Sequence, residues 1–218
     1  MRIKTVVKKV VFDMDGTLID TEKYYRIFWK KALEKFGYTM TDEQALAMRS
    51  LGRPFAPARL QEWFGSGLDY EAVRNCRREM MDECLKREGI ECKPGALELL
   101  SFLKEKGITA AVATATDPER TRRYLDQTGL APYFNKVICA SMVKEGKPSP
   151  DIYLHACGQL GVLPGECFAV EDSPNGVLSA YRAGCLVIMV PDQTEPDEEL
   201  KKCLYAKADS LKEIREML

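Results

Sequence analysis

Asp13 and Asp15 stand two residues apart in the stretch Val10-Val-Phe-Asp13-Met-Asp15-Gly16-Thr17. An apolar run from Val6 leads into them and Gly-Thr follows, the pattern of a buried strand that ends in a loop. Side chains two apart on a strand share a face, so both carboxylates project into one small volume. Charges that close repel unless a cation joins them or one stays protonated. A hard divalent ion, Mg2+ above all, takes oxygen ligands of this kind and keeps positions open for water and phosphate. A polar turn at a strand end uses the same residue types. The pair therefore takes its meaning from what the rest of the chain brings to it.

Strands and helices alternate from Lys93 onward. Pro94 to Gly107 reads as an amphipathic helix with proline near its start. The pattern then predicts a strand over 108–113, a helix over 118–128, a strand over 136–140 and a helix over 150–160. A strand over 166–170, a helix over 175–183 and a strand over 186–190 follow, with helical or mixed segments from Glu195 to Leu218. Repeated strand-then-helix units call for a mainly parallel sheet covered by helices on both faces, a Rossmann-like α/β core. Such sheets bind ligands at the carboxyl ends of their strands. Asp13, Thr114 and Glu171-Asp172 each fall just after a predicted strand, so three segments converge on one end of one sheet.

Between Thr21 and Lys93 no alternating strand pattern occurs. Tyr24, Ile27, Phe28, Ala32, Leu33 and Phe36 follow the spacing of an amphipathic helix that starts near Thr21-Glu22 and stops at Gly37. Further helices are expected over 42–48, 57–64 and 69–87. The first strand needs partners from beyond residue 107, so residues 21–92 form an inserted helical domain, and residues 1–20 with 93–218 form the core. The loop Arg49-Ser-Leu-Gly52-Arg53-Pro54 places two arginines beside glycine and proline, a composition suited to gripping an anion.

Four segments in order carry a resemblance. Asp13-Met-Asp15-Gly16-Thr17, Val112-Ala-Thr114-Ala-Thr116, Gly146-Lys147-Pro148-Ser-Pro150 and Val170-Glu171-Asp172-Ser173 together resemble the motifs of the haloacid dehalogenase superfamily, in its branch of small-metabolite phosphatases and β-phosphoglucomutase-like enzymes. The resemblance covers essentially the whole chain. It implies that Asp13 is a nucleophile forming an aspartyl-phosphate, and that Asp15 protonates the departing oxygen and then activates water. Asp172 would complete a Mg2+ shell with the Asp13 carboxylate and the Asp15 backbone carbonyl, with Glu171 beside it binding directly or through water. Thr114 and the backbone N–H of Ala115 would hold a phosphoryl oxygen, and Lys147 would offset the charge of the pentavalent state. Members with small helical caps insert them just after the nucleophile motif. There Arg49, Gly52 and Arg53 lie where cap-loop substrate residues occur, and they are expected to meet the substrate's distal polar or anionic group as the cap closes.

The implied activity is Mg2+-dependent hydrolysis of a small phosphorylated metabolite, a sugar phosphate or a nucleotide-like monoester. A phosphohexomutase is the near alternative, but such mutases carry a histidine where this chain has Tyr25. A phospho-accepting signalling module is an alternative of another class, although receiver domains are about half this length and lack both the second aspartate and a cap. A net charge of −1 over 218 residues gives no basic footprint for nucleic acid or an anionic membrane. No apolar run approaches the roughly 18 residues that span a bilayer, and the first residues lack the pattern of a signal peptide. A cytoplasmic chain, monomeric or weakly self-associating, is expected. The eight cysteines include no C-x-x-C pair and His155 is the only histidine, so reduced, packing thiols are expected rather than zinc ligands or disulfides.

Overall fold

The computed structural model describes residues 9–218. Its sheet has six parallel strands in the order β3-β2-β1-β4-β5-β6. They are β1 (Lys9–Phe12), β2 (Thr109–Thr114), β3 (Phe134–Cys139), β4 (Cys167–Glu171), β5 (Leu186–Met189) and β6 (Ala206–Lys207). The central β1 pairs on both sides, Phe12 aligning with Val112 of β2 and with Val170 of β4. The Asp13 N–H extends the ladder by donating to the Val170 carbonyl at 2.9 Å. The part of the leading apolar run before Lys9 lies outside the described residues.

Both faces of β1 are covered because its alternate side chains enter different cores. Val10 and Phe12 pack with Leu99 and Leu103 of α5 (Ala96–Glu105) and with Tyr124 and Leu125 of α6 (Pro118–Gln127). Val11 packs on the other side with Ile152 and Ala156 of α7 (Asp151–Leu160) and with Val177 and Ala180 of α8 (Pro174–Ala183). Apolar residues on both faces of a strand are what a parallel, doubly covered sheet requires.

Between β1 and α5 lie α1 (Glu22–Lys35), α2 (Asp42–Ala47), α3 (Phe55–Phe64) and α4 (Tyr70–Glu88). They bury a separate apolar cluster that includes Trp29, Leu33, Leu60 and Val73. Residues 9–20 and 93–218 carry all six strands. Helix α3 begins at Phe55, two residues before its expected start, because Pro57 is tolerated within a first turn where its missing N–H has no helical partner. The third strand runs from Phe134 to Cys139 rather than over 136–140. Strand β6 is only two residues long, too short to leave an alternating pattern in the closing stretch. Among the described residues, no helix is long and apolar enough to cross a membrane, and all eight cysteines are free thiols.

Candidate active site

The carboxyl ends of β1, β2 and β4 deliver Asp13, Thr114 and Glu171 to one place, as their parallel register dictates. Lys147 arrives from the loop before α7. Its side chain is fully buried, and its Nζ contacts Asp13 Oδ1 and lies 2.6 Å from Glu171 Oε1. Tyr153, one turn into α7, donates its hydroxyl to the same Glu171 oxygen at 2.6 Å. Burial alone would lower the Lys147 pKa, but the carboxylates of Asp13 and Glu171 more than reverse this and hold the ammonium charged. Under Glu171 sits Gly176, where an added Cβ would fall 2.0 Å from Oε2. Only glycine lets the first turn of α8 come this near. Ser173 caps that helix, its Oγ accepting the Gly176 N–H at 3.2 Å.

Asp15 is held by hydroxyls rather than cations. Thr21 Oγ1 donates to its Oδ1 at 2.6 Å, and Thr116 and Thr114 donate to Oδ2 at 2.8 and 3.3 Å. Thr116 also hydrogen-bonds the Tyr25 hydroxyl at 3.1 Å. Burial, and then the Asp15 charge, push the Tyr25 phenol far up, so it stays neutral. Ala115 lines a cavity together with Asp13 and Asp15.

Five buried carboxylates, those of Asp13, Asp15, Glu22, Glu171 and Asp172, gather here. Two buried cations touch them, Lys147 and Arg49. Burial raises the Asp13 carboxyl well above its ordinary range, opposed by Lys147 and reinforced by Glu171 and Asp172. Burial likewise lifts Asp172 to about 7, against the pull of Arg49. Oxygens of Asp13, Glu171 and Asp172 lie within 4.8 Å of one another, and Asp13 Oδ2 is buried with no hydrogen-bond partner among the described residues. Excess negative charge, hard oxygen donors and an orphaned carboxylate oxygen together fit a divalent cation.

Of the cap-loop residues, Arg49 enters this cluster. Its Nη2 contacts the Asp172 carboxylate, its Nη1 donates to Thr194 Oγ1 at 3.1 Å, and its Nε lies 3.6 Å from Glu22. Gly52 instead forms the seam between cap and core. Its N–H donates to the Lys147 carbonyl at 2.8 Å, and the Gly146 N–H donates to the Arg53 carbonyl at 2.6 Å. A Cβ on Gly52 would lie 2.5 Å from Gly146 Cα, so the two backbones meet where neither can carry a side chain. Arg53 is half exposed, pairs with Glu71 and stacks on Tyr70 at 5.6 Å. Asn175 ties the loop down by donating to the carbonyls of Ala47 and Arg49 at 3.1 and 2.8 Å.

Glu22, Thr116, Tyr153 and Arg77 also belong to this region, and sequence reasoning did not single them out. Thr116 carries a usable signal, a second hydroxyl two residues after Thr114 and so able to reach the same carboxylate. Glu22 and Tyr153 read as ordinary helix positions until the fold brings them inward.

This geometry agrees with the comparisons. The model of the haloacid dehalogenase-like hydrolases matches residues 7–184, and the chain belongs to that family. The sequence is 35% identical over 183 residues to hexitol phosphatase A of Escherichia coli, covering 84% of this chain and 82% of that protein. It is 33% identical over 186 residues to the phosphorylated carbohydrates phosphatase of Thermotoga maritima, covering 82% of each. The structure is similar to that of CbbY from Rhodobacter sphaeroides in complex with phosphate, with a TM-score of 0.78, 27% identity and coverage of 96% of both chains.

Proposed function

We propose that this chain is a Mg2+-dependent phosphatase that hydrolyses a small phosphorylated metabolite, a sugar phosphate or a nucleotide-like monoester, through an aspartyl-phosphate on Asp13. The observation that carries the reading is the state of the Asp13 carboxylate. One oxygen is fixed by buried Lys147 while the other lies unpartnered at the strand end, two residues before an aspartate held by three hydroxyls. The phosphatases named among the relatives support it.

Asp13 attacks phosphorus, forming a P–O bond to its carboxylate as the ester P–O bond breaks. Asp15 gives its proton to the departing alkoxide, then takes one from the water that cleaves the acyl phosphate and frees inorganic phosphate. The hydroxyls of Thr21 and Thr116 orient Asp15, and Thr114 turns its single hydroxyl proton from its longer 3.3 Å contact with Asp15 to a phosphoryl oxygen, to which the Ala115 N–H also donates. Lys147 orients Asp13 and offsets charge on the equatorial oxygens. Asp13, Asp172, Glu171 and the Asp15 carbonyl would hold Mg2+, which supplies positive charge that lowers repulsion between carboxylate and phosphoryl group.

Residues 21–92 serve as the cap over the core of residues 1–20 and 93–218. Arg49 closes on the reacting end, Gly52 sets how closely the cap approaches the Lys147 loop, and Arg53 borders the mouth. A mutase needs a group to relay a proton where this chain has Tyr25, and a neutral phenol bonded to Thr116 is poorly suited to that task.

The test is phosphate release from a panel of sugar phosphates, nucleotides and an aryl phosphate, with Mg2+ and with chelator, for wild type and Asp13→Asn. Mg2+-dependent release that the substitution abolishes is the expected result. Hexose phosphate isomerisation without release would replace this reading with a mutase.

A further inference from the structure

Arg77 on α4 is buried in the cap, and among the described residues no carboxylate pairs with it. Its guanidinium lies between the rings of Tyr25 and Trp29, 4.7 and 4.6 Å from their centroids. Its Nε is buried with no hydrogen-bond partner, and among the described residues it makes no ion pair. Burial depresses its pKa, with Arg120 and Arg74 adding to the effect and Tyr25 and Tyr70 opposing it. The two rings offset part of the desolvation, but stacking leaves the in-plane N–H donors unused. A guanidinium presents those donors as a fork matched to carboxylate or phosphate.

Arg77 also lines a cavity of about 80 Å³ whose wall includes Asp13, Asp15, Arg74 and Arg120. Half-buried Arg74 likewise has no ion pair among the described residues, and it is pushed down by burial and by Arg78 and Arg53. Arg120 reaches Asp82 at 3.0 Å and the Tyr124 hydroxyl at 2.7 Å, yet its buried Nε also lacks a partner. Five arginines line this cavity. Arg49 and Arg78 are paired with Asp172 and Asp117, whereas Arg74, Arg77 and Arg120 have, among the described residues, a single carboxylate, Asp82, among their ion pairs.

The position of this cluster assigns its role. Lys147 and the free Asp13 oxygen mark where the phosphoryl group sits, and Asp15 marks the oxygen that leaves. Tyr25 links the two regions, its hydroxyl on Thr116 and Asp15 beyond, its ring face on Arg77. Whatever fills the space by Arg77 is thus the far end of the leaving group.

We propose that Arg77, with Arg74 and Arg120, forms a subsite for a second anionic group on the substrate, so that the preferred substrate is a short phosphate ester whose leaving alcohol carries a carboxylate or another phosphate. This inference rests on the phosphatase reading and narrows its substrate class. The small cavity selects a short skeleton. Sequence reasoning gave the distal group to Arg49 and Arg53. Here Arg49 is committed to Asp172 and Arg53 to Glu71, whereas Arg77 has its donors free.

The test compares esters of one length: glycerol 3-phosphate, 3-phosphoglycerate, which replaces a hydroxymethyl by a carboxylate, and glycerol 1,3-bisphosphate. Turnover is measured with Mg2+ for wild type, Arg77→Met, Arg77→Lys and Arg74→Met, and binding of the same three compounds to Asp13→Asn is measured by calorimetry. One of the two doubly anionic esters should exceed glycerol 3-phosphate by about tenfold or more in kcat/KM, chiefly through KM. Which one exceeds it identifies the anion. Arg77→Met should bring that ratio near one and Arg77→Lys should retain part of it. If Arg77→Met fails to fold, the ratio in Arg74→Met, at the rim, should still fall. A wild-type ratio near one, or a ratio that these substitutions leave intact, overturns the subsite. Failure of wild type to hydrolyse all three esters and p-nitrophenyl phosphate would overturn the phosphatase reading instead, and the calorimetric ratio would then decide the subsite alone.

Discussion

Glu171 Oε1 receives Lys147 Nζ and the Tyr153 hydroxyl, each at 2.6 Å, in a site from which solvent is excluded. Tyr153 therefore aims Glu171, Glu171 aims Lys147, and Lys147 reaches Asp13. Removing a hydrogen bond to a buried charge costs about 1.5 to 3 kcal/mol. Tyr153→Phe should lower the unfolding free energy by about that amount, measured by urea denaturation, and should lower kcat more than KM as Lys147 loses its fixed position.

Much of this relay was legible in order but not in contact. The spacing of Asp13, Asp15, Thr114, Lys147, Glu171 and Asp172 is carried by strand ends and short loops, which local pattern describes well. Tyr153 falls within the helix expected over 150–160, but helical pattern does not report which polar atom its tip meets. The cap was harder to read. Its helices follow from their apolar spacing, but Arg49, Arg53 and Arg77 are the same residue type, and only packing separates one bound to Asp172 from one at the surface and one unpaired. Two-residue β6 left no pattern at all.

Gly52 and Gly146 meet backbone to backbone, and a methyl group on either would have to displace the cap loop or the Lys147 loop. Misplacing a catalytic group by about 1 Å can cost roughly a hundredfold in rate. Gly52→Ala should lower kcat/KM by about that factor while the cooperative unfolding of the core changes little. Steady-state kinetics beside thermal denaturation separates the two effects, and unaltered kinetics would mean that the seam does not position Lys147.

Arg49 and Arg53 should differ sharply on substitution. Arg49 is buried against Asp172 and Glu22, whereas the Arg53–Glu71 pair is half exposed and so contributes little. With saturating Mg2+, Arg49→Ala should lower kcat/KM by about tenfold or more. Arg53→Ala should stay within about threefold of wild type. Equal losses would return Arg53 to the substrate site.

The carboxyls of Asp13 and Asp172 are both raised by burial, that of Asp172 to about 7. An unfolded aspartate titrates near about 3.9, so between that pH and about 7 the folded metal-free chain binds more protons than the unfolded chain. The contribution of these groups to stability therefore falls as pH rises through that window, the reverse of an acid whose pKa folding depresses. Mg2+ held by these carboxylates would relieve the charge, so its effect on Tm should be larger at about pH 8 than at about pH 5.5. Scans with Mg2+ and with chelator at both values check this. An equal or smaller increment at the higher pH would place the ion elsewhere.

In the proposed reaction Asp13 forms a covalent phosphoryl intermediate that Asp15 then helps water to cleave. Asp15→Asn with p-nitrophenyl phosphate tests it most directly, because an aryl oxide leaves without a proton whereas dephosphorylation still needs the base. In rapid mixing with Mg2+, this variant should give a burst of about one equivalent of p-nitrophenol per chain followed by a stall, with the phosphoryl group found on Asp13 by mass spectrometry. No burst and an unmodified Asp13, or turnover that persists in Asp13→Asn, would contradict it.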